Sequence, residues 1–200
     1  MHDDASAAPA AEASGPALVL GLGNPGDRYR GTRHNVGFQV VDELARRRGV
    51  RLRALECNSL VGEDGPLLLA QPMTYMNRSG YAARCLLERR RLEPARVLVV
   101  FDEVQLPLGR LRLRPSGSPG GHRGMESVIE NLRTTGIPRL RLGVGPEDAE
   151  VGGEELSDFV LEPFTADERE RAAAMIERAA DACECWLAEG AQAAMNRFNG

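Results

Sequence analysis

The stretch from Ala17 to Asn35, A-L-V-L-G-L-G-N-P-G-D-R-Y-R-G-T-R-H-N, constrains the fold more than any other part of the chain. Ala17 to Leu22 is an apolar run with the length and flanking glycines of a buried strand. Behind it, Asn24, Pro25, Gly26 and Gly31 carry too much turn chemistry for a helix, and His34-Asn35 lead directly into an amphipathic helix over about 35–48. A strand that breaks into a rigid loop and then a helix start is where α/β enzymes place their chemistry.

The rest of the chain repeats that alternation. Strands are expected within 51–71 and over 96–101, 110–114 and 139–144, with helices over about 78–91, 122–133 and 166–189. The first helix shows a core face of Val40, Val41, Leu44 and Ala45, and the last one of Met175, Ala179, Cys183, Trp186 and Leu187. These elements make an α/β fold: a single-domain three-layer sandwich with a mixed, mostly parallel central sheet flanked by helices. The turn at Pro107 to Gly109 is short, so the 110–114 strand is expected antiparallel to its predecessor. The domain takes residues 17–200. Residues 1–16, rich in Ala, Ser and Pro and without the basic start and apolar heart of a secretion signal, read as a disordered tail. Nothing is apolar for long enough to span a membrane. Cys57, Cys85, Cys183 and Cys185 show neither a disulfide framework nor paired metal spacing, which favours a reducing, cytoplasmic setting.

Charge narrows the partners. All 25 basic residues are arginine, which removes Schiff-base catalysis and the phosphate-loop lysine. Residues 84–146 hold twelve arginines against six acidic residues, a balance of +6, whereas 147–200 hold four against fourteen, a balance of -10. Within the basic middle, Arg110, Arg112 and Arg114 alternate with Leu111 and Leu113, and Arg139 and Arg141 with Leu140 and Leu142. Period-two spacing puts each set on one strand face. Such faces are either solvated or a local grip on phosphate, for which guanidinium is suited.

The chain has three histidines, and with His2 in the tail a neutral-pH base must be His34 or His122. His34 is preferred for its glycine-rich loop, against the alternative of a packing residue. Asp102 closes the apolar run from Val97 to Phe101, so it sits at a strand's carboxyl edge, where a carboxylate can fix an imidazole tautomer; a turn-starting aspartate is the alternative. Asn77 begins a helix and Asn35 another, both in positions that suit an N-cap, and Asn24 is similarly ambiguous. Competing motifs fail on context. Gly21 to Gly26 matches a dinucleotide fingerprint letter for letter, but Pro25 removes an N–H from the turn and the helix starts only after His34. No G-x-S-x-G occurs, and the histidines lack compact metal spacing.

Five ordered motifs, G-L-G-N-P-G-D-R-Y-R-G-T-R-H-N-V-G, P-M-T-Y-M-N-R-S-G, F-D-E-V-Q-L-P-L-G, G-G-H-R-G and R-L-R-L-G-V-G, closely resemble bacterial peptidyl-tRNA hydrolase from about Ala17 to the end. The resemblance implies hydrolysis of the ester between peptide and terminal ribose of peptidyl-tRNA, recycling the tRNA, by a cytoplasmic monomer without metal or cofactor. It places the catalytic histidine on His34, its aspartate on Asp102, the two site asparagines on Asn24 and Asn77, the loop tyrosine on Tyr29 and the adjoining methionine on Met76. The cationic pair for the tRNA's 5′-phosphate falls on Arg114 and Arg141. One departure stands out: Arg123 occupies the place of the family's usual asparagine, which helps orient water and the peptide end, so either Arg123 takes over there as a charged, substrate-facing donor or the site is weakened. Pro119 replaces a common glycine just before it.

The expected chemistry is general-base attack by water on the ester, with Asn24 or Asn77 donating to the oxyanion. The alternative is a noncatalytic RNA-binding relative, towards which only Arg123 leans. The acidic stretch Glu147 to Asp158, with Gly152-Gly153, reads as a lid over the peptide groove or a plain surface loop.

Overall fold

The computed structural model describes residues 15–146 and 155–200. The tail expected at 1–16 lies outside them except for Gly15 and Pro16, and so does the 147–154 part of the stretch read as a lid. Seven strands, β1 (Ala17–Gly21), β2 (Ala54–Glu56), β3 (Ser59–Asp64), β4 (Leu67–Pro72), β5 (Val97–Pro107), β6 (Leu111–Arg114) and β7 (Arg139–Gly145), form one sheet in the order β2-β3-β4-β1-β5-β7-β6. The central strands β4, β1, β5 and β7 run parallel, and antiparallel pairs finish both edges. Helices α1 (Val36–Arg47) and α5 (Arg169–Phe198) cover one face, and α2 (Ser79–Arg90) and α3 (Arg123–Leu132) the other; α4 is Glu155–Leu161.

Strand alternation builds the two cores. Val19, Leu98, Val100 and Leu140 pack with Val40, Val41, Leu44, Met175, Ala179 and Trp186, while Leu18, Leu20, Val99 and Phe101 pack with Leu86, Leu87, Met125 and Val128. The expected helix faces are therefore the buried ones, apart from Leu187, which is only partly covered.

Three expectations are corrected. β6 runs antiparallel to β5 as expected but does not pair with it: the chain passes through α3 and returns as β7, which fills β5's open ladder in parallel, and β6 pairs with β7 instead. A short turn restricts where the next strand can go but does not say which strand becomes its neighbour. The last helix runs on to Phe198 through a break at Gly190 (φ 85°). Cys57 and Cys85 form a disulfide, because α2 packs beside the β2–β3 hairpin and brings together two residues 28 positions apart; the cysteine-based case for a reducing setting lapses. Cys183 and Cys185 are buried thiols.

Candidate active site

Close packing sets the site. A Cβ on Gly21 would strike the Gly37 carbonyl, and one on Gly37 would strike the backbone of Val100 and Leu22. Glycine at both positions lets α1 start almost on the strands, so the glycine pattern serves helix–sheet approach. β1 ends at Gly21, in register with Val100, whereas β5 continues, so Asp102 projects past the end of its neighbour. Asp102 is thus not the last residue of its strand, as the apolar run implied, but it does border the crevice. A single 3-10 turn, Arg33–Asn35, holds His34 over it.

His34 Nδ1 lies 2.9 and 3.0 Å from the two Asp102 carboxylate oxygens. His122 Nε2 lies 3.0 Å from Asp102 Oδ1, and its Nδ1 accepts the Met125 N–H at 3.1 Å as the N-cap of α3. A nitrogen that accepts a backbone N–H carries no proton, so His122 is protonated at Nε2 and donates to Asp102. His34 donates through Nδ1, which leaves its Nε2 lone pair as the free base. Burial alone would raise the Asp102 carboxyl, but the two imidazoles hold it below the usual carboxylate range. His34 feels burial pushing it down, yet the charge and hydrogen bond of Asp102 win, and its pKa lies above the ordinary 6.5, with Arg123 opposing. His34, Asp102 and His122 are close enough to hold a cation, but the Met125 N–H commits His122 to a protonated Nε2. As placed, the three groups form a hydrogen-bonded chain.

A base works only when unprotonated, so kcat/KM should fall on the acid side with a midpoint above 6.5. Arg123→Gln removes the neighbouring cation and should move that midpoint to higher pH. A limb at or below the ordinary histidine value, or one shifted downwards in the variant, contradicts the arrangement.

Asn24 is buried and doubly tied. Its side-chain Oδ1 accepts the Met76 N–H at 2.8 Å, and its backbone exchanges two 2.9 Å bonds with the Asn35 amide. Asn35 therefore occupies the cap position of α1 without capping it. With Oδ1 engaged, Asn24 Nδ2 is the group left to donate. Met76 is buried, and a Cβ on Gly124 would meet Met76 Sδ, His122 Cε1 and Leu22 Cδ1, so α3 starts against both the asparagine anchor and the histidine chain. Asn77 is exposed in the 3-10 turn Met76–Arg78, and its side chain caps nothing, which corrects the N-cap expectation. Tyr29 stays on the same loop as Asn24, with the Arg28 guanidinium 4.5 Å from its ring centre. A cavity of about 560 Å³ opens beside Asn24, lined in part by Phe38, Gln39, Asp42 and Gln71.

Several residues gain roles that the sequence did not reveal. Arg33 is 3 % exposed, bonds the carbonyls of Phe159, Glu162 and Pro163 and the Glu168 carboxylate at 2.6 Å, and lies against the Phe159 ring. It pins the α4 arm to the turn that carries His34. Only its place next to His34 hinted at this. Arg139, expected on a strand face either solvated or gripping phosphate, is fully buried, and its guanidinium holds the carbonyls of Gly117, Ser118, Thr135 and Ile137. Burial and the nearby Arg141 lower its pKa to about 10. Arg112 and Arg114 are exposed on β6 as alternation required, and Arg141 is partly buried beside Glu103.

Comparison with known proteins matches this architecture. A family model described as peptidyl-tRNA hydrolase matches residues 18–200. A Methylacidiphilum infernorum peptidyl-tRNA hydrolase is 44% identical over 183 residues, covering 91% of this chain and 97% of that one. One from Synechococcus sp. (strain JA-3-3Ab) is 51% identical over 188 residues, covering 91% and 82%. The crystal structure of peptidyl-tRNA hydrolase from Acinetobacter baumannii superposes with a TM-score of 0.83 at 30% identity, covering 92% and 96%.

Proposed function

The chain belongs to the peptidyl-tRNA hydrolase family and hydrolyses peptidyl-tRNA, and we propose that His34 is the base of that reaction. Its Nε2 takes a proton from a water that attacks the ester carbonyl, and Asp102 stabilises the imidazolium that results. The Asn24 amide, fixed through Oδ1, donates from Nδ2 to the developing oxyanion, with Asn77 as second donor from the exposed turn. The tetrahedral intermediate then re-forms its carbonyl and breaks the bond to the ribose oxygen, which takes the proton from His34 and leaves as the hydroxyl. The observation that carries this reading is the contact of His34 Nδ1 with a buried, ionised Asp102, which leaves one lone pair free beside the crevice.

Tyr29, Met76 and Arg123 face the substrate's peptide and terminal nucleoside in this proposal, and Arg114 and Arg141 take the tRNA's 5′-phosphate. The last two share the sheet face that bears α3, next to the loop leading to His122. No metal or cofactor takes part, because the groups that resemble ligands are already committed to one another. A single copy holds every group named, and in this proposal the working unit is a monomer. Its place is the cytoplasm, where the substrate arises; among the described residues no helix is long and apolar enough to cross a membrane. A binding-only relative would have no use for an intact base–carboxylate pair. Release of deacylated tRNA from purified peptidyl-tRNA tests the reading, and its absence in folded protein would overturn it.

A further inference from the structure

Of the two arginines assigned to the RNA end, one is already engaged by an anion. Arg141 Nη1 donates to Glu103 Oε2 at 3.1 Å and Nη2 to the Ser118 carbonyl at 3.1 Å, while its buried Nε has no partner among the described residues. Glu103 follows Asp102 in β5, is 9 % exposed, and takes a further bond from the Gln105 N–H at 3.2 Å. Arg114 differs: it is exposed, and its side chain bonds only the carbonyl of Leu113, at 3.1 Å, among the described residues.

Carboxylate and phosphate oxygens both accept charge-assisted hydrogen bonds from a guanidinium. We propose that Glu103 is a built-in competitor for the RNA phosphate at Arg141, occupying its place in the free protein and displaced when tRNA binds. This rests on the assignment of Arg141 to tRNA phosphate. Three features favour competition over simple orientation. The pair is mostly withdrawn from water, so its attraction is weakly screened and must be exchanged for another anion. The free-state geometry leaves Nε unsatisfied, a donor that an incoming phosphate oxygen can take up once the side chain turns outward. Gly120 lies over both groups, a Cβ there falling 3.6 Å from Arg141 Nη1 and from Glu103 Oε2, so the loop that leads to His122 sits on the exchange point. A device of this kind limits nonspecific hold on RNA: a single backbone phosphate gains little by displacing Glu103, whereas a more highly charged terminal phosphate gains more.

The test is binding of deacylated, 5′-phosphorylated tRNA at fixed low salt. Glu103→Gln, which keeps the shape and removes the charge, should bind roughly three- to fivefold more tightly. Arg141→Ala should bind more weakly, and the double variant should show no gain. If Glu103→Gln melts out under assay conditions, Glu103→Asp, which draws the carboxylate back by one methylene, should show the same direction. Unchanged or weaker binding in the Glu103 variants, with Arg141→Ala weakened, overturns the competitor and leaves the phosphate assignment standing. Unchanged binding in Arg141→Ala removes that assignment, and the inference with it.

Discussion

Replacing His34 by alanine should lower turnover of purified peptidyl-tRNA by about 10²- to 10⁴-fold, the range contributed by a positioned general base. The loss should appear in kcat with little change in KM, since Nε2 acts on water and not on groups that hold the substrate. The fold should survive. Asp102 keeps its bond from His122, and the His34 ring belongs to neither of the two cores. A folded His34→Ala protein that retains turnover within about tenfold of the parent would contradict a general-base role.

Asp102→Asn should be comparably severe, on the order of 10³- to 10⁴-fold in kcat, for a reason specific to this chain of bonds. The Met125 N–H pins His122 Nδ1 as an acceptor, so His122 continues to donate through Nε2 and claims the asparagine oxygen. The asparagine NH₂ then takes the Oδ2 place, 3.0 Å from His34 Nδ1, where it opposes an Nδ1–H and favours donation to a bare Nδ1. That drives the His34 proton to Nε2 and removes the lone pair that water needs. The shape of the site is unchanged, so substrate binding should persist while turnover collapses. Equal losses in KM and kcat, with tRNA affinity lost as well, would show that Asp102 supports the architecture more than the tautomer.

Much of this was legible in the chain because it is local. The apolar run ending at Asp102, the glycine-rich approach to His34 and the arginine alternation on β6 are properties of a few consecutive residues, and each recurs in the structure. What escaped depends on which elements become neighbours. His122 acquires its two bonds only when α3 docks with its first turn against Met76 and Leu22. Period-two spacing gave the correct face for Arg139 but could not tell that the 117–118 loop covers it, which makes a buried clamp of a residue expected on an open strand face. The place of β7 between β5 and β6 follows from the long path through α3. The Cys57–Cys85 bond follows from how α2 lies against a hairpin. The grip of Arg33 on the α4 arm spans more than a hundred positions, and only the fold joins its ends.

The tautomers of the two site histidines test the central claim most directly, and with three histidines in the chain a ¹⁵N-histidine-labelled sample gives a simple spectrum. Long-range proton–nitrogen correlations, recorded at a pH where both rings are neutral, should show opposite states: His34 protonated at Nδ1 with Nε2 bare, and His122 protonated at Nε2 with Nδ1 bare. A His34 ring protonated at Nε2, with no free lone pair facing the crevice, would contradict the base on which the rest depends.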